Sequence, residues 1–384
     1  LGGNKAALMA LALFSFCPTL LAHGRLVTTD VAAAFGFLFA TYFWVNFLKK
    51  PNLKNILISG IMLGIALCLK FSLVLLIPSF ILITAVYAYL IRGGSFKNKF
   101  KSILKYFGKA IIAGLVALFL VVWPIYQLNM LNYPIERQIK DTQETFARHS
   151  SGLVRTWSVK LASNPITRPI AQYTLGLLMA TQRVAGGNTV YFMGEVNNQA
   201  WKAYFPTMYL LKAPLSFHIL TLMVIGLWLA SIKKREFFKK LINHLYRWTR
   251  EHLAEFSLLV ILVVYWVTSI VGNLNIGVRH ILPVFPIMYI FIGVGFFRLK
   301  DEIKKRKIKI ALSGLTVILM TWYVVSSLMT FPNYLSYYNE LAGGSKNGYK
   351  YAVDSNYDWG QDLKQLADFV DENYSKLLNS SLFS

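Results

Sequence analysis

Six ionisable side chains stand where apolar runs of this sequence stop: His23, Arg25 and Asp30 within "AHGRLVTTD", Lys70 within "ALCLKFSL", and Arg279 with His280 within "GNLNIGVRH". A guanidinium presents a planar fork to phosphate oxygens and an ammonium a compact charge, so cations gathered at one depth suit a ligand that carries a phosphate. Each has a plainer reading as well. Lys and Arg at the end of an apolar helix snorkel to lipid headgroups without any ligand. Asp30, coming after Thr28 and Thr29, is placed to cap a helix beginning at Val31.

Other candidates are more scattered. Glu195 is the lone acid of "GGNTVYFMGEVNNQAWKAYFPTMYLLKAP", able to bind a sugar hydroxyl or act as a base, or simply a solvated carboxylate in an aromatic belt. Asp354, Asn356 and Asp358 alternate like the opening of a calcium loop, yet the glycine is one position late and Gln365 stands where the bidentate acid belongs. Asp358 and Gln361 read equally as the start of a helix whose apolar face carries Leu363, Leu366, Val370, Tyr374 and Leu377. No HExxH, GxSxG, P-loop or CxxC pattern occurs, so hydrolase, NTPase and zinc readings lack support. A divalent metal is left open.

These residues need a scaffold. Hydrophobic residues make up 55% of the 384 positions and charged ones 15%, in long blocks, which is the pattern of an all-α polytopic membrane protein. A hydrocarbon core about 30 Å thick takes roughly 20 apolar residues per helix. Spans are expected over 6–21, 31–48, 111–128, 207–232, 256–271, 281–297 and 310–330. The stretch 56–91 would be on the order of 54 Å long as one helix, so it must turn, and Lys70 marks the place. That gives about nine transmembrane helices.

Charge gives the direction of the spans. Basic clusters at 49–54, 92–109, 233–250 and 298–309 hold more than half of the 40 Lys and Arg and follow alternate spans, so they share one side, the cytoplasm by the positive-inside rule. The net charge of +23 then records topology and attraction to anionic lipid, and requires no nucleic acid. Residues 1–128 and 207–330 are expected to form the N- and C-terminal parts of the bundle. Residues 129–206 form an extracytoplasmic juxtamembrane region of surface helices and loops, and 331–384 a small soluble extracytoplasmic tail. Cys17 and Cys68 lie inside apolar runs and read as packing residues.

Four segments, in order along nearly the whole chain, resemble the GT-C superfamily of membrane glycosyltransferases. The likeness is to family 39, which holds protein O-mannosyltransferases and bacterial lipid A aminoarabinose transferases. "AHGRLVTTDVAAAF" is similar to the family's Arg-x4-Asp segment and "GIMLGIALCLKFSLVLLIP" to its Gly-rich span ending in a lysine. "NIGVRHILPVFP" resembles its outer-loop segment, and "YNELAGG" with "DSNYDWGQDL" its extracytoplasmic tail.

The resemblance implies a GT-C-type helical bundle. Its activity would move a sugar from a polyprenyl-phosphate carrier to a protein, lipid or glycan acceptor at the extracytoplasmic face, with inversion at the anomeric carbon. Lys70 and Arg279 would hold the carrier phosphate with His280 beside them. Arg25 would join them at the donor, and His23, Asp30 and Glu195 would shape its pocket. The family's catalytic acid belongs to a first outer loop expected to precede Leu1, which leaves Asp30 as the candidate within this sequence. The implied partners are membrane lipid, the carrier-linked sugar and a protein or glycolipid acceptor, in the cell membrane of a bacterium or archaeon. Two other readings stand beside this one: a carrier-lipid transporter or flippase, which charges deep within the spans would favour, and a non-catalytic membrane scaffold whose loop and tail bind partners.

Overall fold

The computed structural model describes residues 1–26, 28–91, 95–147, 152–231 and 241–378, with backbone alone at 241–245 and 375–378. Arg92 and the basic residues at 233–240 lie outside the described residues, as does the side chain of Leu377. The first expected span is broken. Helix α1 (Gly3–Ser15) and helix α2 (Pro18–Arg25) meet at a 59° bend, because Pro18 has no N–H for a continuing helix and is favoured at a helix start. His23 and Arg25 therefore sit in the last turn of α2 rather than in an open loop.

Helix α3 (Thr29–Lys49) follows, then α4 (Leu53–Leu69). Asn52 starts α4 by accepting the Asn55 N–H at 2.9 Å, a side-chain N-cap. The expected turn falls at Lys70, which is extended (φ −163°, ψ 140°) and leads through the 3-10 turn Phe71–Leu75 into α5 (Leu76–Ile91). Helix α6 (Phe96–Ala117) continues through a π-helical turn, Leu118–Val122, into α7 (Trp123–Asn129).

Close helix packing rests on two glycines. Gly60 and Gly64, one turn apart on α4, face α6 and the π turn. A Cβ on Gly60 would lie 2.5 Å from the Ala113 carbonyl oxygen, and one on Gly64 2.8 Å from that of Ala117. Small residues at this spacing let helix backbones approach where lipid offers no hydrophobic driving force between helices. Elsewhere the core is aromatic: Trp44 of α3 stacks on Phe80 of α5 at 4.4 Å and donates its indole N–H to Thr84 Oγ1 at 3.1 Å.

Between α7 and the next apolar block run the helices α8 (Ile135–Thr145), α9 (Gly152–Ser163) and α10 (Arg168–Gly186). A hairpin not expected from sequence follows: β1 (Val190–Phe192) pairs antiparallel with β2 (Glu195–Asn197). Its turn places Met193 (φ 51°) and Gly194 (φ 95°) in the left-handed region that a two-residue hairpin loop demands. Helix α11 (Tyr204–Lys212) bends by 105° into α12 (Leu215–Ser231).

The remaining helices are Leu241–Glu251, Leu253–Val271, Val284–Glu302 and Arg306–Thr330, with the 3-10 turn Val278–Ile281 between the second and third. The tail consists of short 3-10 turns and one helix, Leu363–Leu378. That helix begins five residues after Asp358. Asp358 instead accepts the Gly360 N–H at 2.9 Å and Gln361 the Trp359 N–H at 2.7 Å, so neither caps it. Its apolar face is exposed at Leu363, Leu366 and Tyr374.

Among the described residues five helical segments are long and apolar enough to cross a membrane: Thr29–Lys49, Phe71–Ile91, Phe96–Asn129, Leu253–Val271 and Arg306–Thr330. The bent pairs α1 with α2 and α11 with α12 raise the number to seven. The chain is an all-α polytopic membrane protein, but nine crossings are not established. The shortfall lies in Leu53–Leu69, apolar but short, and in Val284–Glu302, which ends in a run of charges.

Candidate functional site

Lys70 and Asp30 form an ion pair. Asp30 lies in the first turn of α3 and Lys70 at the break between α4 and the following turn, so the extended backbone at Lys70 turns its side chain toward the start of the neighbouring helix. Asp30 is almost wholly buried, whereas Lys70 keeps a side-chain exposure of 22%. The capping role expected for Asp30 is not observed. Helix α3 starts at Thr29, before the expected Val31, Thr28 takes the N-cap position, and no side chain caps it. The carboxylate is committed to the lysine.

Arg279 and His280 come from the 3-10 turn Val278–Ile281. Arg279 places its guanidinium 4.3 Å from the centre of the Trp359 ring and donates Nε–H to the Ile276 carbonyl at 3.2 Å. The cation–π contact and the Nε bond hold the guanidinium in place on the ring. The His280 ring packs against Phe205 (5.2 Å) and Tyr265 (5.8 Å), and the His280 carbonyl accepts the Tyr265 hydroxyl at 2.7 Å. Burial, then the positive charge of Lys70, pushes His280 down to about 4; Arg279 adds to this and Asp30 opposes it. At neutral pH His280 is therefore a neutral imidazole within reach of all three charges.

His23 joins the same group. It is 1% exposed, the charges of Asp30, Lys212, Arg279 and Lys70 act on it, and both its ring nitrogens are buried without a hydrogen-bond partner. Buried polar atoms are ordinarily paired, so these nitrogens mark a place where a polar ligand group would be satisfied.

Arg25 departs from expectation. It donates to the Pro332 carbonyl at 3.3 Å and lines a small cleft with Asn333, Tyr334, Gln361 and Asp362. Its position at the end of α2 points it at the tail, while the charges that act on His280 are those of Lys70, Asp30 and Arg279. Glu195 is exposed on β2 and, among the described residues, makes no hydrogen bond or ion pair with this group.

The calcium reading of the tail does not hold among the described residues, which contain no cluster of His, Cys, Asp or Glu able to hold a metal. Asn356 is buried and its side chain is spent on protein: Oδ1 accepts the Val278 N–H at 2.8 Å and Nδ2 donates to the Tyr204 hydroxyl at 2.8 Å. Next to it, Ser355 donates to the Ile276 carbonyl at 2.9 Å. The tail thus holds the turn that carries Arg279 and His280, through Ser355 and Asn356 on one side and Trp359 on the other.

Lys212 was not singled out in the sequence, where it is one cation between an apolar helix and Pro214. The ammonium is 1% exposed and donates to the carbonyls of Leu335 (2.7 Å), Tyr337 (2.6 Å) and Asn356 (2.7 Å), with the Tyr338 ring 4.4 Å away. A buried charge is tolerated only when it is fully hydrogen-bonded, and here backbone carbonyls meet all three donors. Asn339 completes the seam, donating to the carbonyls of Leu210 (2.6 Å) and Ala213 (2.8 Å), which the end of α11 leaves without helical partners. A short apolar stretch ending in Lys before Ala-Pro is the one sequence signal for this anchor.

On the other side, Asn273 and Asn275 of "GNLN" accept the backbone N–H groups of Ala200 and Trp201, each at 2.8 Å. The loop leading to Arg279 is thereby knitted to the segment after the hairpin.

The family model for dolichyl-phosphate-mannose-protein mannosyltransferase matches residues 1–124, the stretch that contains His23, Arg25, Asp30 and Lys70. No curated protein and no solved structure matches the chain. The match covers the first third of the chain, and with the membrane-length helices it makes that part similar to a family of membrane glycosyltransferases.

Proposed function

We propose that the protein transfers a sugar from a polyprenyl-phosphate carrier to a protein or glycolipid acceptor at the extracytoplasmic face of the cell membrane. What supports this reading is the Asp30–Lys70 ion pair at the end of α4 together with Arg279 and His280 on one turn, with Asp30 the acid among the described residues whose charge acts on that imidazole. Breaking the bond between the anomeric carbon and the carrier phosphate leaves an extra negative charge on that phosphate. Preorganised cations are most effective against charge that develops in the transition state. Arg279, held against Trp359, would fork two phosphate oxygens, and Lys70 would supply a point charge whose position Asp30 sets.

In this reading His23 and His280 face the sugar or its phosphate as uncharged hydrogen-bonding groups, and Asp30 is a positioning residue. On the same reading Ser355, Asn356 and Trp359 of the tail, and the segment at Ala200 and Trp201, back the loop and turn that carry Arg279 on one side of the bundle.

The test is transfer of a labelled sugar from polyprenyl phosphate in membranes containing the protein. Lys70→Ala and Arg279→Ala are each expected to lower transfer by about 100-fold or more while membrane insertion is unchanged. Full transfer by both variants would reject the phosphate roles.

A further inference from the structure

The opposite end of the bundle, where α3, α5 and their successors begin or end, holds a cavity of about 360 Å³. Lys101, Lys105 and Lys109 line it from successive turns of α6, with Ser102 and Tyr106 beside them. Residues four apart share a helix face, so the three ammonium groups form a single row. Ser102 and Tyr106 are 3% and 8% exposed, which makes this a recess in the packed protein rather than an open flank. Lys109 is fixed by donating to the Pro51 carbonyl at 2.6 Å. Lys101 and Lys105 are exposed and, among the described residues, pair with no carboxylate, and no acid lines the cavity.

The same helix turns an apolar strip outward next to this row. Phe96, Phe100 and Leu104 are exposed by 78%, 51% and 57%, and Ile111, Ile112 and Leu115 continue the strip along the helix. An apolar strip of this length beneath a row of ammonium groups matches a molecule with a negative head and hydrocarbon tails.

We propose that this cavity binds the phosphate headgroup of an anionic membrane lipid, whose acyl chains lie along the Leu104 to Leu115 strip. Snorkelling anchors alone would need no recess. A free phosphate would use the lysines but gain nothing from the strip. Basic recesses between helices at a membrane surface attract anionic headgroups in this way. The site is independent of the sugar chemistry proposed for the other end of the bundle.

Thermal unfolding of the whole protein in phosphatidylcholine nanodiscs, with increasing phosphatidylglycerol, tests the site. Lys101→Gln/Lys105→Gln is expected to match the wild type in pure phosphatidylcholine but to need about tenfold more phosphatidylglycerol for half of the stabilisation. Lys304→Gln/Lys305→Gln, which removes equal charge from a different basic segment, should respond like the wild type. An unchanged response in Lys101→Gln/Lys105→Gln, or an equal loss in both double variants, overturns the proposal.

Inorganic phosphate added to pure phosphatidylcholine discs is expected to leave the wild-type unfolding temperature where it was. A rise that Lys101→Gln/Lys105→Gln abolishes would make the cavity a soluble-phosphate site and overturn the lipid assignment. Native mass spectrometry of the wild type alone should show phosphatidylglycerol retained over phosphatidylcholine, and equal retention counts against the site even if the variants fail to fold.

Discussion

Asn356 Oδ1 accepts the Val278 N–H at 2.8 Å, so a residue of the C-terminal tail fixes the backbone immediately before Arg279 and His280. Its amide also reaches the Tyr204 hydroxyl, which ties the same point to the start of α11.

Asn356→Ala should therefore weaken sugar transfer through the position of Arg279 rather than through any contact with substrate. A buried N–H left without its acceptor costs about 1–3 kcal/mol. Asp at this position still accepts from Val278, with the Tyr204 hydroxyl as donor, so Asn356→Asp should restore most of the stability and transfer lost in Ala. Equal defects in Ala and Asp, measured by unfolding and by transfer, would sink the positioning role.

Lys212→Met keeps the apolar stem but strands the carbonyls of Leu335, Tyr337 and Asn356 in a buried seam. The change is expected to destabilise the protein by about 1–3 kcal/mol or more, the cost of leaving buried carbonyls without a donor. The tail should then become open to protease between residues 335 and 356. A wild-type digestion pattern would show that the tail docks by other means.

The Asp30 and Lys70 pair separates structure from chemistry. Asp30→Asn leaves the lysine without its counter-charge and should cost about 3–5 kcal/mol. Adding Lys70→Met removes the stranded charge, so the double variant should recover most of the stability yet transfer no sugar. Recovery of transfer in the double variant would contradict the phosphate role of Lys70.

His280 makes stability depend on pH. Its folded value, about 4, lies below the 6.5 of an unperturbed histidine, so between those values the unfolded chain binds the extra proton. The contribution is complete above about pH 6.5 and is lost as the pH falls toward 4, amounting to on the order of 3 kcal/mol. Unfolding temperatures of the wild type should decline through this window, and those of His280→Gln should decline less. Parallel profiles would show that other groups set the dependence.

The site was partly legible because membrane thickness is a hard constraint. A 36-residue apolar stretch cannot be one crossing, so Lys70 had to lie at a turn, and the structure breaks the helix there. Of the family-like segments, those around Asp30, Lys70 and Arg279 supply charges that act on His280, whereas Arg25 turns to Pro332. The hairpin was hidden, since Met-Gly is not the Asn-Gly or Asp-Gly that usually announces such a turn, and only the pairing of Val190 with Asn197 shows it.

The sequence by itself determined the class of the protein and the break at Lys70, because burying backbone in lipid permits few solutions and apolar block length reports them directly. Only the tertiary structure decided the partners: that Asp30 binds Lys70 instead of capping a helix, that Arg25 turns to Pro332, and that Asn356 and Lys212 bind backbone rather than ligand. The physical reason is that hydrogen bonds and ion pairs are settled by distances between segments as much as 310 residues apart, and no local pattern of side chains encodes those distances.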